Sequence, residues 1–308
     1  MFQTQATPEP WQSPPYRFAA TAAAPLGVGV LFTPAMRGFV RQHREAFDFV
    51  GIVPEAFWPD TDPMGIERTT AIHAALRVLD DVAADKPLVA HGAGLMIGGQ
   101  GALDRGHLAR IAQWQARYGF RWYSEHLVRS TEVADGTRRA AAPLPYDRHA
   151  LKRVVERVRE VQALLPIPFL LENNVYAAGV PQQEMSEPMF LNRLCAATGC
   201  GLVLDVQNLC ANAIDCGIDA LTFLDRVDLA RVVEIHVTAG ARAVPAGDFF
   251  AATLCPPSEL EVLEAVLWRA PKLRAVTIEI DDRVTDGNGD DDVLRAVEAA
   301  RRVWKLYH

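Results

Sequence analysis

The chain has 308 residues, half of them hydrophobic, and a formal net charge of −7. This length and composition suit one large α/β domain. Acidic and basic residues are interspersed, which argues against a nucleic-acid-binding face, and there is no apolar run of about 18 residues that would predict a membrane span. The N-terminus lacks the basic start and apolar run of a signal peptide, so we expect a cytoplasmic protein.

Residues 1–24 are rich in Pro, Ala and Gln and predict an extended or disordered arm, followed by one domain over residues 25–308. In that domain short apolar, β-rich runs alternate with longer segments of helical periodicity. Strands are predicted at 26–32, 48–54, 87–92, 121–127, 168–174, 201–208, 232–238 and 273–281. Helices are predicted near 35–46, 67–84, 103–119, 147–164, 185–198, 217–227, 257–269 and 290–305.

Strict alternation of buried strands and helices predicts an α/β fold with a parallel sheet. The number of repeated units favours a closed (β/α)8 TIM barrel in a single domain, preceded by the short arm. An open doubly wound sheet is the alternative, but the sequence has no glycine-rich nucleotide-binding turn to support it.

Polar residues stand at or just after the ends of seven of the predicted strands. They are Glu55, His91, Glu125, His126, Glu172, Asn173, Asn174, Asp205, Asn208, His236, Glu279 and Asp281. In a barrel these positions meet at one rim, where several carboxylates would repel each other unless a divalent cation stabilises them. The mixture of imidazole and carboxylate suits Fe(II), Mn(II) or Zn(II), and the number of ligands suits two or three ions.

Any one of these residues, taken alone, is more often a capped or salt-bridged loop residue than a metal ligand, so the prediction depends on their joint occurrence. The remaining histidines are expected on helices or at the terminus, exposed or packing a helix. They are His43, His73, His107, His149 and His308. The segment 129–146 is a long connection for a barrel, which suits a substrate-binding loop and a solvated excursion equally.

The motifs at the strand ends are HGAGL (91–95), SEHL (124–127), PLPY (143–146), LLENN (170–174), TGCGLVLDVQN (198–208) and EIHVTAG (234–240). In this order they resemble the multinuclear non-haem iron-dependent oxidases. That family includes the catalytic subunit that makes the oxazolone and thioamide groups of methanobactin. The resemblance runs over residues 26–281, and it is specific for the combined motifs although each motif alone is weak.

The resemblance implies a TIM-barrel catalytic domain with two or three iron ions that use O2 to remodel cysteine residues of a ribosomally made precursor peptide. It also implies a partner protein that presents the peptide's leader. The residues that it implies as iron ligands are His91, Glu125, His126, Glu172, Asp205 and His236. It implies Asn173 and Asn208 as ligands or supporting groups, and Glu55 and Glu279 as further carboxylates of the site.

The sequence departs from the family pattern in three places. Gly51 and Ala56 stand where the strand-2 motif has an acid and an Asn, and Ala241 stands where some members have a second histidine. An Asp-x-His motif is expected after strand 7, but the best match reads TLC at 253–255. One metal position is therefore weakened, lost or occupied by Cys255, and the choice between two and three irons stays open.

Two other classes of function remain as alternatives. A divalent-metal sugar isomerase or an endonuclease-IV-like phosphodiesterase would gather similar residues at the strand ends. The acidic charge argues against DNA as substrate, and no lysine stands at a strand end for an isomerase. A degenerate, non-catalytic member of the family that keeps the barrel to bind a peptide is the third possibility. Iron content and O2 consumption distinguish these classes.

Overall fold

The computed structural model describes residues 24–58, 66–132, 139–176, 183–239, 259–280 and 289–308. The strands in these ranges are β1 (Gly27–Phe32), β2 (Val50–Ile52), β3 (Leu88–Gly92), β4 (Tyr123–His126), β5 (Val128–Glu132), β6 (Arg139–Pro143), β7 (Phe169–Glu172), β8 (Gly201–Asp205), β9 (Val232–Ala239) and β10 (Ala275–Ile280). The α-helices are α1 (Arg37–Gln42), α2 (Ile66–Ala83), α3 (Arg105–Tyr118), α4 (Arg148–Leu164), α5 (Glu187–Thr198), α6 (Val206–Cys216), α7 (Ala220–Arg226), α8 (Glu259–Arg269) and α9 (Gly289–Tyr307).

Eight of the strands are parallel and close into a barrel in the order β1-β10-β9-β8-β7-β4-β3-β2. The predicted (β/α)8 TIM barrel is therefore confirmed. The barrel strands are buried along nearly all of their length because helices cover them outside and side chains fill the interior. Apart from residue 24, the predicted arm lies outside the described residues. Within the described ranges, no helix is both long enough and apolar enough to cross a bilayer.

The structure differs from the sequence prediction in the connection after β4. The segment predicted as a loop over 129–146 contains an antiparallel pair, in which β5 and β6 align Val128 with Pro143 and Glu132 with Arg139. Residues 128–132 and 139–143 therefore form the two strands of a hairpin at the rim of the barrel.

Two helical segments also differ. Residues 206–208 were predicted as the end of a strand, but they begin α6, because the Asp205 side chain accepts a hydrogen bond from the Asn208 backbone N–H and caps the helix at 2.6 Å. The helix predicted near 35–46 is broken into 3-10 turns and the short α1. Pro34 starts the first turn, and His43, at φ −113° and ψ 31°, interrupts the helix.

The lower part of the barrel interior is filled by apolar side chains. They form a cluster of Phe49, Val89, Trp122, Leu170, Val203, Val233 and Ala275. Val89, Leu170 and Val203 each stand two residues before a polar residue on the same strand. Since alternate residues of a strand share one face, the polar side chains lie directly above this apolar layer, at the carboxyl ends of the strands.

The strand register brings the polar residues side by side. His126 on β4 is paired with Glu172 on β7, and Asp205 on β8 is paired with His236 on β9. His91 on β3 lies beside Ser124 on β4. Sequence positions that are 30 or more residues apart therefore become neighbours on the inner face of one rim.

Candidate metal centre

The carboxyl ends of the strands hold a compact group of side chains that we call the first cluster. Its members are His91, His126, Glu172, Asp205, His236 and Glu279. Three overlapping sets of three within it place their ligand atoms within 4.8 Å of one another. Five of the six predicted principal ligands, together with the predicted further carboxylate Glu279, would thus need no large movement to share ions. His91, Glu172 and His236 each belong to two of the sets.

His91 presents one defined nitrogen to this cluster. Its Nδ1 lies 2.9 Å from the Ser124 hydroxyl, which itself donates to the Ala90 carbonyl at 3.2 Å. Because the hydroxyl proton is used in that bond, the Ser124 oxygen accepts a hydrogen bond from His91 Nδ1–H, and Nε2 keeps its lone pair. Nε2 lies 3.1 Å from His126 Nε2 and 3.3 Å from Glu172 Oε2, which is the position of a metal ligand.

Glu172 lies at the centre of the first cluster. Its Oε2 is 2.9 Å from His126 Nδ1, and its Oε1 accepts a hydrogen bond from the Asn208 side chain at 3.3 Å. The side-chain nitrogen of Asn208 also donates to the Asn173 carbonyl. Asn208 therefore orients Glu172 and is a supporting group in this structure.

Asp205 is held in place by Asn173. The Asn173 side chain accepts a hydrogen bond from the Asp205 N–H at 2.8 Å and donates to the Asp205 carbonyl at 3.1 Å. Both polar atoms of this amide are thus engaged with backbone, so Asn173 acts as a supporting group here. Its neighbour Asn174 donates to the Tyr146 hydroxyl and lies in a separate buried network.

A further carboxylate, Glu234, lies below His236 and was not among the predicted site residues. It is 1% exposed, and it accepts hydrogen bonds from the Trp122 indole at 2.7 Å and from the Thr277 hydroxyl. Glu234 Oε1 is 3.3 Å from His236 Nε2, while Glu279 Oε1 is 3.0 Å from His236 Nδ1. Such a carboxylate–histidine pair fixes the orientation of a metal-binding imidazole.

Burial and mutual repulsion shift the pKa values in the first cluster. Burial lowers the pKa of His91 well below its usual value, so the ring is neutral. Burial, followed by the charges of Glu172 and Glu279, raises the pKa of Asp205 well above its usual value. Glu172 raises the pKa of His126 to about 9. A divalent cation would favour the ionised form of Asp205 and would take the place of the proton that His126 holds beside Glu172.

The first cluster also contains buried polar atoms without a partner. Over the described ranges, Glu172 Oε2 and both ring nitrogens of His236 have no aligned hydrogen bond although nearby charged atoms lie within ion-pair distance. Unpartnered polar atoms at nearly zero exposure are costly. The residues present therefore fit a bound metal ion, which would accept their lone pairs.

Glu55 and Glu125 lie in a different place from the first cluster. They meet His107 of α3 in what we call the second cluster. Glu55 Oε1 is 2.8 Å from His107 Nε2, and Glu125 Oε1 accepts hydrogen bonds from the Tyr123 hydroxyl at 2.7 Å and the Leu95 N–H at 3.1 Å. The expectation that His107 is merely exposed or packs a helix is wrong. Burial and then the charge of Glu55 raise the pKa of Glu125 to about 7.

The other predicted peripheral histidines agree with the structure. His73, His149 and His308 are exposed, and His43 lies partly buried at 3.6 Å from Asp290. Asp281, Ala241 and residues 253–255 lie outside the described residues. The prediction about the missing Asp-x-His motif and Cys255 is therefore untested.

The closed barrel and the first cluster at its carboxyl rim define a TIM-barrel protein with a candidate metal centre. The chain belongs to the family of RiPP precursor modification enzymes MbnB/TglH/ChrH, whose model matches residues 27–304. This match confirms the resemblance found in the strand-end motifs.

Similar proteins include several that carry the name UPF0276 protein. One from Rhizobium meliloti is 41% identical over 166 residues, which are 54% of this chain and 52% of that protein. One from Pasteurella multocida is 38% identical and covers 56% of both chains. The chain thus spans about half the length of these curated relatives. A relative from Caulobacter vibrioides is 29% identical over 90% of this chain and 93% of its own.

Solved structures with a similar fold are TIM-barrel proteins. Endonuclease IV from Thermus thermophilus has a TM-score of 0.55 at 20% identity, covering 90% of this chain and 99% of its own. D-psicose 3-epimerase from Clostridium cellulolyticum has a TM-score of 0.53 at 12% identity, covering 91% and 99%. At such low identity these likenesses show the fold alone.

Proposed function

We propose that this protein is an iron-dependent, O2-using oxidase that modifies cysteine residues of a ribosomally synthesised precursor peptide in the cytoplasm. The observation that carries the proposal is the first cluster, with its neutral His91, its central Glu172 and its fully buried His236, in a chain of the RiPP precursor modification family. Imidazole and carboxylate ligands of this kind suit ferrous ion.

The arrangement of the first cluster supports two ions that share ligands. His91, His126 and Glu172 form one possible ligand set, and Glu172, Asp205 and His236 form another. Since Glu172 belongs to both sets, it would be a ligand that two ions share. Glu279 completes a third set with His91 and His236, and the question of a third iron remains with residues 253–255.

Bound iron would supply a binding position for O2 and for a cysteine thiolate, whose pKa a metal lowers. The protein's own residues set the geometry of that position. Ser124 fixes the tautomer of His91, Asn208 orients Glu172, and Glu234 supports His236 from below. The apolar layer beneath these residues excludes water from the inner side of the centre.

The exposure of the ligands indicates where the peptide enters. The side chains of His126 and Glu279 are 37% and 23% exposed, whereas those of His91, Glu172 and His236 are 4% or less. The peptide cysteine would therefore approach from the His126 side. The β5–β6 hairpin follows His126 directly and borders a groove of about 760 Å³ that is lined by Arg129, Ser130 and Arg157. We propose this groove as the surface for the peptide or for its leader-binding partner protein.

Co-expression with cysteine-containing precursor peptides tests the function. We expect a mass change in the peptide that needs iron and O2, and that disappears in a peptide whose cysteines are replaced by serine. His236→Ala should abolish the change, whereas the exposed-site variant His73→Ala should retain it. If the protein instead turned over a sugar or a phosphodiester with a metal other than iron, the proposal would be overturned. If it bound the peptide but left the peptide's mass unchanged, it would be a binding module.

A further inference from the structure

The second cluster is separated from the first by the wall of the barrel. On β4, Ser124 contacts His91 of the first cluster, while the adjacent Glu125 contacts Tyr123 and the backbone of Leu95. Successive residues of a strand point to opposite faces. Glu125 therefore points away from the barrel interior, towards the loop over residues 93–104 that connects β3 to α3.

The three residues of the second cluster come from three different elements, which are α3, β4 and the 3-10 turn after β2. Asp104 caps α3 by accepting a hydrogen bond from the His107 N–H at 3.0 Å, which puts the His107 ring in the first turn of the helix. Trp58 packs against that ring at a centroid distance of 4.8 Å. Glu55 comes from the 3-10 turn after β2. The His107 ring and both carboxylates are thus held in place before any ligand binds.

Two carboxylate oxygens in the second cluster are buried and lack a partner among the described residues. They are Oε2 of Glu55 and Oε2 of Glu125, and Glu125 as a whole is 0% exposed. A neutral hydrogen-bonded core would leave no such atoms. The ligand atoms of Glu55, His107 and Glu125 lie within 4.8 Å of one another. Two atoms bound to one ion at about 2.1 Å each are typically about 3 Å apart, close to the 2.8 Å between Glu55 and His107.

We propose that Glu55, His107 and Glu125 form a second divalent-cation site that is independent of the first cluster and fastens the 93–104 loop to the barrel wall. One imidazole with two carboxylates suits a borderline transition ion such as Zn²⁺ rather than Ca²⁺ or Mg²⁺, which prefer oxygen ligands alone. Glu55 and His107 are 18% and 12% exposed, so water can complete the coordination.

The loop over residues 93–104 contacts the rest of the domain through two groups of residues. Its outer part is already held by Arg157 of α4, which donates to the carbonyls of Leu95, Met96 and Gly101. Its near end touches the second cluster through the Leu95 N–H and through Gly94, where a Cβ would lie 2.2 Å from His107 Cε1. The same loop lines the groove beside the hairpin, so a cation here would stabilise one wall of that groove.

Zinc binding by the full chain tests the site without relying on any enzymatic activity. After chelation and reloading with Zn²⁺ alone, elemental analysis should find about one equivalent fewer per chain in His107→Gln than in wild type. His73→Gln, at an exposed helical position, is the matched control and should match wild type. His236→Ala should lose zinc from the first cluster and keep the equivalent that depends on His107, which separates this proposal from the proposed function.

Two further measurements keep the test decisive. Should His107→Gln misfold, Glu55→Gln is the milder variant. We expect it to weaken the zinc affinity of the second cluster at least about tenfold. Hydrogen exchange over residues 93–104 should rise on zinc removal in wild type and should be high and zinc-independent in Glu55→Gln. The same zinc content in wild type, His107→Gln and Glu55→Gln would overturn the site, and zinc-independent exchange in wild type would overturn its role in fastening the loop.

Discussion

Ser124 Oγ lies 2.9 Å from Nδ1 of His91, its neighbour in the barrel register, and donates a hydrogen bond to the Ala90 carbonyl. This chain of two hydrogen bonds leaves His91 Nε2 free to bind a cation. A small hydroxyl on β4 thereby decides which atom of a β3 histidine faces the first cluster.

Ser124→Ala should weaken metal binding without removing a ligand. Loss of the hydroxyl leaves the His91 tautomer and ring orientation undetermined. Loss of a group that orients a metal ligand typically weakens metal affinity about 10–100-fold. Titration of the chelated protein with Fe²⁺ under anaerobic conditions measures the change. Ser186→Ala is a suitable control because the Ser186 side chain makes no capping hydrogen bond. Equal affinities for the two variants would contradict the role given to Ser124.

Asn173→Ala should destabilise the protein by about 2–3 kcal/mol, because it leaves the buried backbone N–H and C=O of Asp205 without their side-chain partners. Asn192 offers a matched control, since its amide also links two backbone groups, Arg226 O and Asp228 N, but at the surface. Urea unfolding of both variants should show the smaller loss for Asn192→Ala. Only Asn173→Ala should also lower metal affinity, and equal losses in both would contradict this view.

In the metal-free protein, the contribution of Glu125 to stability should fall as the pH rises from about 4.5 to about 7. The pKa of Glu125 is raised from 4.5 to about 7, so in this window the folded protein keeps a proton that the unfolded chain releases. The stability that Glu125 contributes is therefore greatest below the window and falls as the pH passes through it, by about 3 kcal/mol at most. Glu125→Gln should flatten this part of the pH profile in chemical unfolding, and exposed Glu45→Gln should leave it unchanged.

Gly94→Ala should disturb the second cluster, whereas Gly101→Ala in the same loop should not. A Cβ at Gly94 would lie 2.2 Å from His107 Cε1, while a Cβ at Gly101 meets nothing within 4 Å. We expect Gly94→Ala to cost about 1–3 kcal/mol and to release the zinc equivalent that depends on His107. Gly101→Ala should stay within about 0.5 kcal/mol of wild type. Thermal unfolding with and without Zn²⁺ measures both, and similar behaviour of the two variants would contradict the assigned contact.

The barrel and much of its carboxyl rim were predictable because a polar residue that follows a continuous apolar run marks the carboxyl end of a buried strand. His91, Glu172 and His236 follow continuous apolar runs, and parallel strands bring such ends together. Glu234 was missed because only strand ends were considered. It stands two residues before His236, and the period of two in a strand places both on one face, so the EIH sequence carried the signal.

His107 was missed for a different reason. It lies in a helix, and helical histidines were interpreted as peripheral. In this fold, however, the first turn of a helix that follows a strand lies at the same rim as the strand end, and Asp104 three residues earlier marks that first turn. The separation of Glu125 from the first cluster was not accessible from the sequence, because it depends on which of two adjacent residues, Glu125 or His126, faces the barrel interior.

Metal analysis of protein purified anaerobically from iron-replete cells tests the central claim most directly. Wild type should carry at least about two irons per chain, His126→Ala and His236→Ala should lose iron from the first cluster, and His73→Ala should match wild type. Exposure of the wild-type protein to O2 should oxidise the bound iron. Stoichiometric zinc or manganese in place of iron at the first cluster, or no metal that depends on His126 and His236, would contradict the account.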